Sequence, residues 1–157
     1  MKTLIIGLGN PILGDDGIGW RVAEKIQPLI QNNNSVEVDS LSLGGISLME
    51  RLIGYERVII IDSICTGQYP VGTVGRLSLN ELPNRAFGHT SSAHDTTLQN
   101  ALTLGKKMGA ELPNEIIFVT IEAKNLFEFS EQLSPPVEAA IPKALTLVMD
   151  SLSNPSD

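Results

Sequence analysis

Apolar residues in this chain fall into short blocks with two different periods, and the blocks alternate. Residues 3–8 (TLIIGL) form a compact apolar run that breaks at Gly7-Leu8-Gly9, as a buried parallel strand does. Residues 10–16 read as a loop containing Pro11 and Gly14. Over 17–30, Ile18, Val22, Ile26 and Ile30 recur at helical spacing, and the asparagines at 32–34 end that helix. A second strand covers 36–43. A second helix covers 44–53, with Ile46, Met49 and Leu52 on one face. Residues 57–62 (RVIIID) are the most strand-like run, β-branched and closed by a carboxylate. Residues 73–79 alternate imperfectly through Val74, Leu77 and Leu79. After so short a connection this strand should run antiparallel.

Residues 86–93 read as a loop and 95–108 as a third helix, with Leu98, Leu102 and Leu104 apolar and Gly109 as its stop. A last strand covers 115–121. A closing helix covers 134–152, with Pro135 and Pro136 suited to its first turn and Pro142 predicting a kink or break. Alternating strands and helices predict a single α/β domain over 1–152, with a mainly parallel sheet, one antiparallel strand and helices on both faces. The polar tail 153–157 is expected to be disordered.

Composition narrows the function. The 157 residues are 42% hydrophobic, enough for one core, and the longest apolar run, around 57–61, is too short to cross a bilayer. Met1-Lys2 leads straight into a strand, so no signal peptide is expected and a cytoplasmic protein is. Eleven Lys plus Arg face 18 Asp plus Glu, a net charge of -7 that suits a protein, a neutral small molecule or a cation better than nucleic acid. A lone cysteine, Cys65, rules out an internal disulfide framework and a Cys-rich zinc site.

In parallel sheets, ligands sit beyond the carboxyl ends of the strands. Beyond the first strand lie Gly7, Gly9, Asn10, Asp15 and Asp16. Beyond the third lie Asp62 and Ser63, and before the third helix lie His89 and His94. Asp16 and Asp62 should share one edge of the sheet, with His94 approaching from the side. Two carboxylates and one imidazole suit a borderline divalent cation such as Ni²⁺ or Zn²⁺, and three protein ligands leave coordination positions open. Each residue also has an ordinary reading. Asp15 suits a helix N-cap, Asp62 a turn, and His94 a solvated loop.

Other chemistries fit less well. Gly7-x-Gly9 lacks the third glycine of a dinucleotide loop, since Ile12 stands there, and no Gly-Lys-Ser/Thr follows for phosphate. Cys65 has no adjacent base and is read as buried and inert. Ser63, Ser91 and Ser92 lack the strand–elbow–helix setting of a serine hydrolase. An acid–base pair of carboxylates remains open.

Residues 4–26 (LIIGLGNPILGDDGIGWRVAEKI) resemble the opening of the [NiFe]-hydrogenase maturation endopeptidases: a strand, Gly-x-Gly-Asn, a short apolar stretch, then Asp-Asp/Glu-Gly-x-Gly. Residues 58–64 (VIIIDSI), 92–102 (SAHDTTLQNAL) and 133–145 (LSPPVEAAIPKAL) resemble that family's third strand, its His-bearing helix start and its closing helix. The resemblance implies a twisted five-stranded sheet between helices. It implies that Asp16, Asp62 and His94 bind nickel carried by the substrate, with zinc or cadmium able to substitute in crystals. It further implies that the enzyme removes a C-terminal extension from a hydrogenase large-subunit precursor, acting as a cytoplasmic monomer without nucleic acid or membrane. Asp16 or Asp62 is the candidate catalytic base, which would place the enzyme among aspartyl-type peptidases.

Two departures stand out. Many family members carry Asp-Gly-Gly-Thr after the second strand, where this chain has Asp39-Ser40-Leu41-Ser42-Leu43-Gly44-Gly45, and Glu122 is followed by Ala123 rather than a nearby proline. Residues 4–11 (LIIGLGNP) also resemble the start of peptidyl-tRNA hydrolases, but the Tyr and Thr-Arg-His-Asn stretch of those enzymes is missing and the charge is wrong for tRNA. A non-catalytic nickel-binding or docking module for a hydrogenase subunit would use the same three ligands.

Overall fold

Four parallel strands and one antiparallel strand make the sheet: β1 (Thr3–Leu8), β2 (Val36–Leu41), β3 (Arg57–Ile64), β4 (Val74–Ser78) and β5 (Glu115–Glu122). The order is β2-β1-β3-β5-β4, and β4 pairs antiparallel with β5 at the margin. The computed structural model describes residues 1–82 and 97–155. Helices α1 (Ile18–Ile26), α2 (Gly45–Leu52), α3 (Leu98–Lys107), α4 (Pro135–Ala139) and α5 (Ile141–Ser153) connect and cover the strands. Among the described residues, no helix is long and apolar enough to cross a membrane.

Strand alternation divides the core in two. Ile5, Ile59, Ile61, Val119 and Ile121 face α1 and α5, meeting Ile18, Val22, Ile26, Ala144 and Val148. Leu4, Ile6, Val58, Ile60 and Phe118 face α2 and α3, meeting Leu48, Leu52 and the half-buried Leu98 and Leu102. With helices on both sides, β3 is buried along its whole length, which is why its sequence is a continuous β-branched run.

One helix packs differently from the sequence expectation. In α2, Met49 and Leu52 are buried but Ile46 is 42% exposed, and Leu48 takes its place against the sheet. In α3, Leu104 is exposed and the buried positions are Ala101 and Gly105. A Cβ on Gly105 would lie 2.8 Å from the Met49 sulfur, so a larger residue there would have to displace the Met49 side chain.

Pro142 breaks the closing helix rather than kinking it. The segment divides at Ala140, and Pro142 falls in the first turn of α5, where a missing N–H costs nothing. At the other end, α5 includes Ser153, the first residue of the expected tail. Arg57, 2% exposed at the start of β3, holds this end. Its guanidinium donates to the carbonyls of Ser151, Leu152 and Asn154 and pairs with Glu115. A cation there satisfies the terminal carbonyls and opposes the negative end of the helix dipole.

Candidate functional site

Asp16 is placed by a close approach of α1 to the sheet. A Cβ on Gly19 would lie 2.4 Å from the Ile61 carbonyl oxygen and 2.5 Å from that of Leu8. Glycine at this position lets α1 lie against β1 and β3, and the 3-10 turn Gly14–Gly17 that precedes it then sits over their carboxyl ends. Asp16 is 2% exposed there. Its Oδ2 accepts the Asn10 N–H at 2.9 Å, and its Oδ1 accepts the Ser63 hydroxyl at 3.0 Å.

Asp62 comes from the last turn of the β3 pleat, 1% exposed, in the row of Val58 and Ile60 on the α2–α3 side. Burial pushes its carboxyl well above the usual carboxylate range, and the charge of Asp16 pushes it further, against a backbone hydrogen bond at Ser63. The structure therefore brings the two carboxylates to one edge. Two acids this close disfavour a second negative charge, and a proton or a bound cation relieves it. The oxygen donor set suits a divalent cation. The third expected ligand, His94, and the alternative His89 lie outside the described residues. Among the described residues no group of three His, Cys, Asp or Glu side chains is arranged to hold a metal.

Neighbouring residues take roles that the sequence did not reveal. Asp15 is not an N-cap of α1. Its two oxygens accept the backbone N–H and the hydroxyl of Ser134, both at 2.7 Å, and so tie the Asp15–Asp16 turn to the start of α4. The Asp15 N–H also donates to the Asn125 carbonyl, and Ser130 exchanges backbone hydrogen bonds with Ile12 and Gly14, so the loops after β1 and β5 are joined at several points. Glu122 holds the loop between β3 and β4 through the N–H and hydroxyl of Thr66. Cys65 is exposed rather than buried, because it lies one residue past the end of β3. Ser63 supports Asp16. Its only sequence signal was its place next to Asp62.

A cavity of 650 Å³ lies beside this edge, lined by Ile64, Cys65 and Tyr69 after β3, Gly75 and Leu77 on β4, and Thr120 on β5. A larger one of 940 Å³ lies between the opposite end of β5 and α3, and neither cavity is lined by Asp16 or Asp62 themselves.

Comparison with known proteins gives a consistent result. Residues 20–151 match the family model described as hydrogenase maturation protease. The chain is 30% identical over 152 residues to the hydrogenase 2 maturation protease of Escherichia coli K12, covering 97% of this chain and 91% of that one. The hydrogenase maturating endopeptidase HybD from E. coli superposes with a TM-score of 0.77 at 25% identity, over 98% of this chain and 93% of its own. A hydrogenase 2 maturation peptidase from Thaumarchaeota archaeon SCGC_AB-539-E09 gives 0.69 at 28% identity, over 97% and 98%.

Proposed function

From the membership of this chain in the hydrogenase maturation protease family, we propose that it is a nickel-dependent endopeptidase that removes the C-terminal extension of a [NiFe]-hydrogenase large-subunit precursor. The observation that carries this reading is the convergence of Asp16 and Asp62 at the carboxyl edge of the sheet, where burial first and the charge of Asp16 second push the Asp62 carboxyl above the usual carboxylate range. A protease keyed to a metal on its substrate must offer an incomplete coordination shell, and two carboxylates joined by His94 would do so.

In this reading the nickel arrives with the precursor and serves both as a recognition signal and as an orienting group. Docking on Asp16, Asp62 and His94 sets the scissile peptide in place, and the metal polarises its carbonyl. Water adds across the peptide bond, leaving a new carboxylate on the large subunit and a free amine on the released extension. Asp16 or Asp62 serves as the base. Asn10 and Ser63 hold Asp16 in one orientation while the substrate enters. Zinc or cadmium would occupy the same ligands. The enzyme acts in the cytoplasm as a monomer.

The test is a gel-shift assay with nickel-loaded and nickel-free forms of the cognate precursor. The loaded form should shorten and the nickel-free form should not. Asp16→Asn and His94→Gln should each abolish the shift while keeping the melting curve of the parent. Normal cutting by both variants would remove the assigned site. Nickel-dependent binding without any shortening would favour a docking module. The net charge of -7 argues against a tRNA substrate.

A further inference from the structure

Asp62, Thr120 and Gly75 lie side by side in register across β3, β5 and β4. Register partners share a face of the sheet, and adjacent strands are about 4.8 Å apart, so Thr120 is one strand and Gly75 two strands from the acidic edge. The 650 Å³ cavity takes Thr120 and Gly75 of this row into its lining, and Ile64, two residues on from Asp62 along β3, lines it too, while Asp62 stands beside it. One residue of extended chain spans about 3.3–3.6 Å, so a polypeptide held at Asp62 reaches the cavity within one to three residues.

Glycine at position 75 is not there for its backbone, since it does not adopt a left-handed φ. Its effect is spatial. A Cβ at this position would stand 3.2 Å from the Thr120 hydroxyl, so any side chain would fill the cavity floor. The walls include Ile64, Val74, Leu77 and the ring of Tyr69. The two acids of the lining are turned to other partners: Glu122 to Thr66, and Glu81 to the Ser78 N–H in a capping box. The loop wall is preformed, because the Glu122 backbone also bonds Gly72 and Thr73 at 2.7 and 2.9 Å. Arg76 also lines the cavity and is engaged in an interaction of its own. With its charged groups engaged and four apolar side chains in its walls, the cavity takes an apolar side chain more readily than a charged one.

We propose that this cavity is the subsite for an apolar side chain of the substrate polypeptide flanking the scissile bond. The inference rests on the endopeptidase reading and adds to it a determinant of sequence specificity.

The experiment uses the full chain and nickel-loaded precursors. The cut is first located by mass spectrometry, and the residue on each side of it is then changed in turn to Ala, Leu or Asp. The parent enzyme should prefer Leu to Asp on one side by at least tenfold in kcat/KM. Gly75→Val, compatible with a strand, should lose that preference, raise KM for the Leu precursor and leave the Ala precursor nearly unaffected. Tyr69→Ala, at a 60% exposed position that does not threaten folding, should weaken the same preference and carries the test if Gly75→Val does not fold. Equal cutting of Leu and Asp precursors by the parent, or an unchanged profile in both variants, overturns the subsite while leaving the endopeptidase reading intact. A parent enzyme that cuts no precursor overturns both.

Discussion

The Ser63 hydroxyl donates to Asp16 Oδ1 at 3.0 Å across 47 residues of sequence, joining the end of β3 to the turn after β1. This bond and the Asn10 N–H engage one oxygen each, so Asp16 is held from two sides. Its carboxylate is therefore oriented before substrate arrives. Ser63→Ala should cost about 1 kcal/mol of stability. It should lower processing by roughly tenfold, because misplacing one ligand weakens the orientation of the scissile bond. Urea unfolding alongside a timed precursor assay measures both. Undiminished processing would mean that the Asn10 N–H alone holds Asp16.

Asp62 should make the metal-free protein less stable as pH rises. Its carboxyl titrates near 3.8 in the unfolded chain and well above that in the folded one. Between those limits the folded state keeps a proton that the unfolded state has lost, so stability falls with rising pH through that window. Asp62→Asn removes this dependence. In chelator-treated samples the variant should melt higher than the parent at neutral pH, and the gap should close as pH drops toward 3.8. The variant should not process precursor. A variant that melts lower at every pH would show that the charged carboxylate is held by favourable contacts.

Arg57 should matter for stability alone. Arg57→Met takes the guanidinium away from Glu115 and from three carbonyls of the α5 terminus. Removing one side of a buried ionic network costs about 3–5 kcal/mol. The urea midpoint should fall accordingly. Because Arg57 and Ile64 are opposite ends of β3, the molecules that remain folded should process precursor at the parental rate.

Gly19→Ala should damage both stability and activity. The new Cβ would collide with the carbonyls of Ile61 and Leu8, and overpacking of this kind costs about 1–3 kcal/mol. The cheapest relief is for α1 to withdraw, and the turn bearing Asp16 moves with it. Processing should therefore fall by more than the loss of folded protein accounts for, as read from kcat at a temperature well below the melting point. A strict proportionality between activity and folded fraction would contradict this link.

Much of the architecture was legible in the chain because strand and helix patterns are local. The continuous run at 57–61 announced a strand covered on both faces, and Ile18, Val22 and Ile26 announced the face of α1. The antiparallel direction of β4 followed from its short connection to β3. The common edge of Asp16 and Asp62 followed from a rule about strand ends rather than from any contact. Helix faces were legible only in part. Ile46 carried the periodic signal but is 42% exposed, and Leu48 is buried against the sheet instead.

By itself the sequence determined the order and type of the elements, a kink or break at Pro142 and which acids lie near the carboxyl edge of the sheet, although Asp62 sits inside β3, two residues short of its end, rather than beyond it. These depend on side chains only a few residues apart. Tertiary structure alone decided that Asp15 serves α4 through Ser134, that Ser63 steadies Asp16, that Arg57 closes α5 and that Asp62, Thr120 and Gly75 form one row. Each of those pairings joins segments far apart in the chain. Their partners are chosen by strand order, register and the distance at which helices meet the sheet, and short-range periodicity carries none of that information.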